Sequence, residues 1–233
     1  VRWRARTALA WVAAAVASGC GTPEGDGPGP GDIEPGAPYA VAVAALRLGE
    51  GGGRGQDRLP DVVLGPPRGA GLRMGSTDTL SLGRGGSITV ELGVPVVDGP
   101  GVDLLVFENP FLVGGNPRTP YAEPAIVEVS DDGVTWHAFP CAHEDYPTLP
   151  GCAGVRPVLA NADDPSIDPR DPEAAGGDAF DLATVGVARA RLVRITDVGG
   201  GRADGAGTDG FDLDAVAVVH GEGLGPRAAG PGE

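Results

Sequence analysis

More than a quarter of the chain is glycine or proline, 41 Gly and 23 Pro in 233 residues. Inside a helix a glycine costs about 1 kcal/mol and a proline about 3 kcal/mol relative to alanine. Distributed along the whole length, these residues leave no window in which a long helix can form. A helical bundle is therefore excluded. The same fraction borders on the composition of disordered chains, but valine-rich apolar stretches between the breakers argue for strands, since β-branched side chains fit a pleated surface. The expectation is one all-β domain with disordered ends.

Period-two patterning locates the strands. Tyr39 to Leu48 reads as the first. Ser87 to Leu92 alternates cleanly and turns Ile88, Val90 and Leu92 inward. Asp103 to Glu108 is nearly continuous apolar sequence, as in a central strand. Ala125 to Ser130 and Thr135 to Phe139 flank Asp131-Asp132-Gly133, a hairpin signal, and Trp136 is expected to fill the core beneath that hairpin. Arg191 to Asp197 and Phe211 to His220 close the set. Seven to nine short strands predict an antiparallel β-sandwich over residues 38–220. Residues 20–37 and 221–233 are rich in Gly and Pro and read as a flexible tether and a fraying tail. The segment Ala142 to Asp181 is polar and longer than compact domains usually leave without structure. It reads as a pinned insertion or a ligand-facing loop.

The first residues carry Arg2, Arg4 and Arg6, and Ala8 to Ala17 is unbroken apolar sequence. That run is too short to span a bilayer and has the proportions of a signal-peptide core. It ends in Val16-Ala17-Ser18-Gly19-Cys20, which resembles the lipobox of bacterial lipoproteins. The resemblance makes residues 1–19 a signal peptide and Cys20 the lipidated N-terminus, attached to the membrane through acyl chains. Gly21 in place of Asp implies, by the same resemblance, the outer membrane or cell surface. The alternative is an ordinary secretory peptide cleaved nearby. With Cys20 acylated, Cys141 and Cys152 remain as a pair, and in an oxidising compartment a disulfide is the simplest reading. A metal site using Cys141 and His143, with His137 or Glu144, is the rival.

The net charge is −15, with 32 acids against 17 bases, every base being Arg. A surface so negative repels phosphate backbones and excludes nucleic acid as a partner class. It suits divalent cations or simple solubility.

Val127-Glu128-Val129-Ser130-Asp131-Asp132-Gly133-Val134-Thr135-Trp136 resembles the S-x-D-G-x-x-W hairpin of discoidin domains. Ala190-Arg191-Leu192-Val193-Arg194-Ile195 is similar to the A-R-Y-V-R-I strand of the same galactose-binding-like superfamily, with Leu192 where that family has Tyr. Gly210 to Val216, Gly85 to Ile88 and Val106 to Pro110 resemble segments of related bacterial cell-surface sandwiches. The resemblance covers roughly residues 80–220. It implies a jelly-roll fold and a binding role, and it transfers no ligand.

The densest carboxylate region runs from Asp197 to Asp214. Calcium takes six to eight hard oxygens, and related jelly-roll modules often hold a structural calcium between an early and the last strand. Asp209, Asp212 and Asp214 are the candidate ligands on one side, with Glu108 and Asn109 on the other. Two apart on a strand, Asp212 and Asp214 are expected on one face, shared with Val216 and Val218. A solvated acidic turn is the competing reading. For a carbohydrate ligand, Tyr121 and Tyr146 in Pro-rich loops are the candidate stacking residues, although a plain loop tyrosine explains each as well. No G-x-S-x-G, H-E-x-x-H or phosphate-loop motif is present. Glu123 and Glu128 are a formal carboxylate pair for glycoside hydrolysis, more simply read as solvated strand residues. The sequence thus points to a non-catalytic binding module for a carbohydrate or cell-envelope component. A protein-binding adhesion or assembly role is the alternative, and a secreted hydrolase stands further off.

Overall fold

Alternation builds the spine of the fold. In the computed structural model, which describes residues 33–199 and 210–225, the longest strand is β3 (Ser87–Val97), preceded by β1 (Ala40–Arg47) and β2 (Leu80–Ser81). Ile88, Val90, Leu92, Val94 and Val96 are all buried, while Ser87, Glu91, Gly93, Pro95 and Val97 are half-buried. Later strands are β4 (Leu104–Phe107), β5 (Phe111–Leu112), β6 (Pro120–Tyr121), β7 (Ala125–Ser130), β8 (His137–Ala138) and β9 (Asp178–Phe180). The last are β10 (Arg189–Asp197), β11 (Asp212–Leu213) and β12 (Ala215–Val218). One sheet has the order β1-β3-β10-β7-β8, entirely antiparallel. Its register places Val43, Val90, Val193 and Val129 in one apolar row across four strands, which ends at His137 on the edge strand β8.

The facing sheet is β12-β4-β9, also antiparallel, and the short pairs β11-β2 and β5-β6 accompany it. Every residue of β4 is buried because both of its faces are covered. Leu104 and Val106 enter the main core between the sheets. Leu105 and Phe107 enter a second cluster with Val158, Ala160 and Ala175. The protein is thus an all-β antiparallel sandwich. Among the described residues no helix is long and apolar enough to cross a membrane.

The polar segment from 142 onward is pinned by a disulfide, as expected of an insertion, and then joins the second sheet. Cys141 and Cys152 form a disulfide with S–S 2.10 Å, which removes Cys141 from any metal site with His143. Beyond it Ala153 bridges Ala125, Val158 bridges Gly176, and the segment ends as β9. Its apolar residues cover the outer face of β4. Three residues are too few to show alternation, so β9 is invisible in the sequence.

Three further expectations change. Trp136 lies half-buried outside the core, with the Arg194 guanidinium 4.1 Å above its ring. Residues 221–225 join the sandwich instead of fraying: Gly221 bridges Val96 and Leu224 packs against the main core. Asp212 and Asp214 do not share a face with Val216 and Val218. Leu213 and Val216, three apart, both face the main core, so the alternation slips at Asp214. Residues 1–32, with Cys20 and most of the tether, lie outside the described residues, as do 200–209 with Asp209 and 226–233.

Long Gly- and Pro-rich connections carry backbone N–H groups that no strand ladder satisfies, and a buried N–H needs an acceptor. Buried aspartates supply it. Asp103 accepts from Gly99 and Leu182 and faces His220 Nδ1 at 2.9 Å. Asp178 accepts from Gly154, Val155 and Arg156. Asp197 accepts from Gly85, Gly199 and Phe211 at 2.8, 3.1 and 2.9 Å. Both oxygens of Asp214 accept from the Arg68 N–H. Burial pushes Asp178 up to about 7, against the pull of its three donors, and raises Asp214 well above the usual carboxylate range.

Burial also pushes the Tyr39 phenol up to about 12. Its contribution to stability is complete below the ordinary tyrosine value near 10 and is lost as pH rises through about 12. The chain has no Lys, so tyrosines dominate that range. In an ultraviolet titration Tyr39 is expected to ionise near pH 12, and ionisation that late persisting in Tyr39→Phe would refute the assignment.

Candidate ligand and cation site

Three carboxylates from distant parts of the sequence meet at one end of the sandwich. Glu108 follows β4 directly, Glu123 lies between β6 and β7, and Asp212 opens β11, held in register by pairing with Ser81 of β2. One oxygen from each lies within 4.8 Å of the others, and all three residues are buried. The backbone fixes them. Glu108 Oε1 accepts from the Asp212 N–H at 3.2 Å, and Glu123 Oε1 accepts from the Gly210 N–H at 3.2 Å. Asp212 Oδ2 accepts from Asn109 Nδ2 at 2.9 Å and is paired with Arg54. Asn109 Nδ2 also donates to the Ser76 carbonyl. Gly154 sits against Glu123 with φ +85, where an added Cβ would overlap the Glu123 carbonyl oxygen. Only glycine allows that approach.

Two carboxylate oxygens remain orphaned. Glu108 Oε2 and Asp212 Oδ1 are buried without a hydrogen-bond partner among the described residues. Burial first, and then the Glu123 charge, hold the Glu108 carboxyl well above its ordinary range. A buried carboxylate oxygen with no donor is costly. A cation shared by the three groups would remove that cost.

Glu123 and Asp212 border a cavity of about 410 Å³, lined also by Asn109, Arg54, Arg73, Met74, Gly75, Ser76, Thr77, Phe111 and Tyr121. Phe111 and Tyr121 pair across β5 and β6, and their rings stack with centroids 4.9 Å apart and planes 10° apart. Glu108 does not line the cavity. It borders a small crevice on the Gly69, Gly71 and Val158 side, which adjoins the cavity through Met74, Gly75, Ser76 and Asn109.

Of the residues singled out from sequence, Glu108, Asn109 and Asp212 come together here, and Tyr121 forms part of the cavity wall. Asp214 does not join them, because both its oxygens are committed to the Arg68 N–H. Tyr146 stands apart: its hydroxyl donates to the Pro120 carbonyl at 3.1 Å, and its ring packs with Leu149 and the disulfide. The pairing of Glu123 with Glu128 also fails, since Glu128 holds Arg194 through two bonds of 2.6 and 2.7 Å. Glu123, Arg54 and Phe111 were not foreseen in these roles, and no motif or spacing marks them. A second acidic group, Asp98, Asp103 and Asp181, also meets the distance condition. There both Asp103 oxygens are satisfied, and Asp181 accepts from the Ala183 N–H.

No protein-family model matches the chain, and no curated protein matches it significantly.

Proposed function

We propose that this chain is a non-catalytic, ligand-binding β-sandwich, exported and held at the cell envelope by a lipid on Cys20, whose ligand is a carbohydrate or carbohydrate-bearing envelope component. The observation that carries the reading is the cavity. Its volume falls in the range of small-ligand sites, and it sets a stacked aromatic pair beside Arg54, Asn109, Ser76 and Thr77. Sugars present apolar ring faces to aromatics and hydroxyls to polar groups. The galactose-binding-like resemblance agrees with a binding role and names no ligand. In calorimetric titrations against envelope oligosaccharides, Tyr121→Ala is expected to weaken binding about tenfold, about 1.4 kcal/mol, and Thr77→Val to weaken it while leaving the melting temperature in place. Tyr146→Phe should bind as the parent does. Full affinity in both cavity variants would refute the cavity as the site.

Calcium belongs to the same reading, held by Glu108, Glu123 and Asp212 in place of a set containing Asp214. Ligands about 2.4 Å from one ion lie at most about 4.8 Å apart, matching the spacing of the trio. A retaining glycosidase needs its two carboxyl groups about 5–5.5 Å apart on either side of the scissile bond, and Glu108 does not line the cavity. Calcium at about one hundred times its dissociation constant should stabilise the fold by about 2.7 kcal/mol. Identical melting in calcium and in chelator would remove the cation, and turnover of any glycoside in the panel would move the protein to the hydrolases. An adhesion role would instead use the exposed Leu72 and Val113, which lie outside the cavity lining. Serine substitutions there should leave sugar binding unchanged.

A further inference from the structure

From the way the three carboxylates are anchored we infer that the cation bridges protein and ligand, and that the ligand is an acidic sugar whose carboxylate and neighbouring hydroxyl complete the coordination sphere. This rests on the cation reading above. Asp212 Oδ2 is taken by Arg54 and Asn109, and Glu108 Oε1 by the Asp212 N–H. Asp212 cannot chelate through both oxygens without giving up a bond to Oδ2, and the Asp212 N–H holds Glu108 Oε1 turned toward the backbone. Each offers the ion one oxygen, the orphaned Oδ1 or Oε2. With one oxygen from Glu123, the carboxylates supply about three of the six to eight that calcium takes.

The remaining positions have a direction. Glu108 stands behind the ion on the crevice side, whereas Glu123 and Asp212 line the cavity. The open positions therefore face the cavity, beside the Phe111 and Tyr121 rings. A purely structural ion would be enclosed by protein oxygens. Charge selects among sugars: with the ion bound, calcium, Arg54 and Arg73 outweigh the three carboxylates, so the loaded cavity favours an anion. A carboxylate with an adjacent hydroxyl supplies two hard oxygens at chelating distance, and its pyranose ring can lie along the aromatic wall.

Terbium, a luminescent stand-in for calcium, tests this on the full chain. Its lifetime in H2O against D2O counts the waters on the bound ion. One site displaced by calcium is expected, with about three to five waters, lost on Glu123→Gln without a fall in the melting temperature of the metal-free chain. Galacturonate at about 10 mM should displace about two of those waters, and galactose should displace none. If no terbium binds, the cation reading itself fails. If terbium binds with no water, or galacturonate displaces none, the cation stands as structural and the bridge is overturned. Equal displacement by galactose overturns the acidic ligand.

Discussion

Replacing Asp197 with alanine is expected to cost about 4 kcal/mol, with a melting temperature lower by roughly 10–15 °C. Asp197 closes β10 at 3% exposure, and its two oxygens take the N–H groups of Gly85, Gly199 and Phe211. Its own N–H donates to the Gly86 carbonyl. One side chain thus ties the turn before β3, the end of β10 and the entry to β11. Alanine strands three donors, of which the Phe211 N–H is fully buried, at about 1–3 kcal/mol for each that water cannot reach. The loss is a sizeable part of the 5–15 kcal/mol that stabilises an ordinary domain. Asp197→Asn should recover only part of it, because an amide offers one acceptor oxygen and turns an NH2 toward a donor. Denaturant titration of both variants decides the matter, and a cost below about 1 kcal/mol for the alanine would refute the role.

Phe211→Ala is expected to be of similar size, about 3–5 kcal/mol. The ring is fully buried in the main core, while its carbonyl accepts from Leu82 and its N–H donates to Asp197. Truncation leaves those backbone bonds but opens a cavity beneath β11, the strand that carries Asp212. Cation affinity should fall with stability, although no ligand atom has been removed. Phe211→Leu should restore most of both. Unchanged terbium affinity in a destabilised Phe211→Ala would show that β11 is held by its pairing with β2 alone.

Much of the sandwich was legible because its long strands obey simple alternation. Ile88, Val90 and Leu92 face inward as their period demands, and the continuous apolar run in β4 is explained by cover on both faces. Trp136 misled because aromatic bulk suggests a core, whereas the outer face of β10 offered Arg194. In the site, Glu108, Asn109 and Asp212 were found by the chemistry of oxygen ligands, but Glu123 was not. Its place depends on β6 and β7 bringing residue 123 beside residues 108 and 212, a long-range contact that no local spacing encodes. Asp214 and Tyr146 failed for a related reason. Their residue type suited the chemistry, while the fold had already committed their polar atoms elsewhere.

The buried aspartates also bear on proteolysis. On composition alone the polar stretch from 142 to 181 looks like the natural place for a protease to cut. Its arginines are Arg156 and Arg170. The Arg156 N–H is held by Asp178, and the Arg170 guanidinium donates to the Val218 and Val219 carbonyls. The Arg156-Pro157 bond resists trypsin because proline follows, so the enzyme must peel this stretch from β4 to cut after Arg170. Cleavage there therefore reports unfolding of the second sheet, and its rate measures how often the sandwich opens.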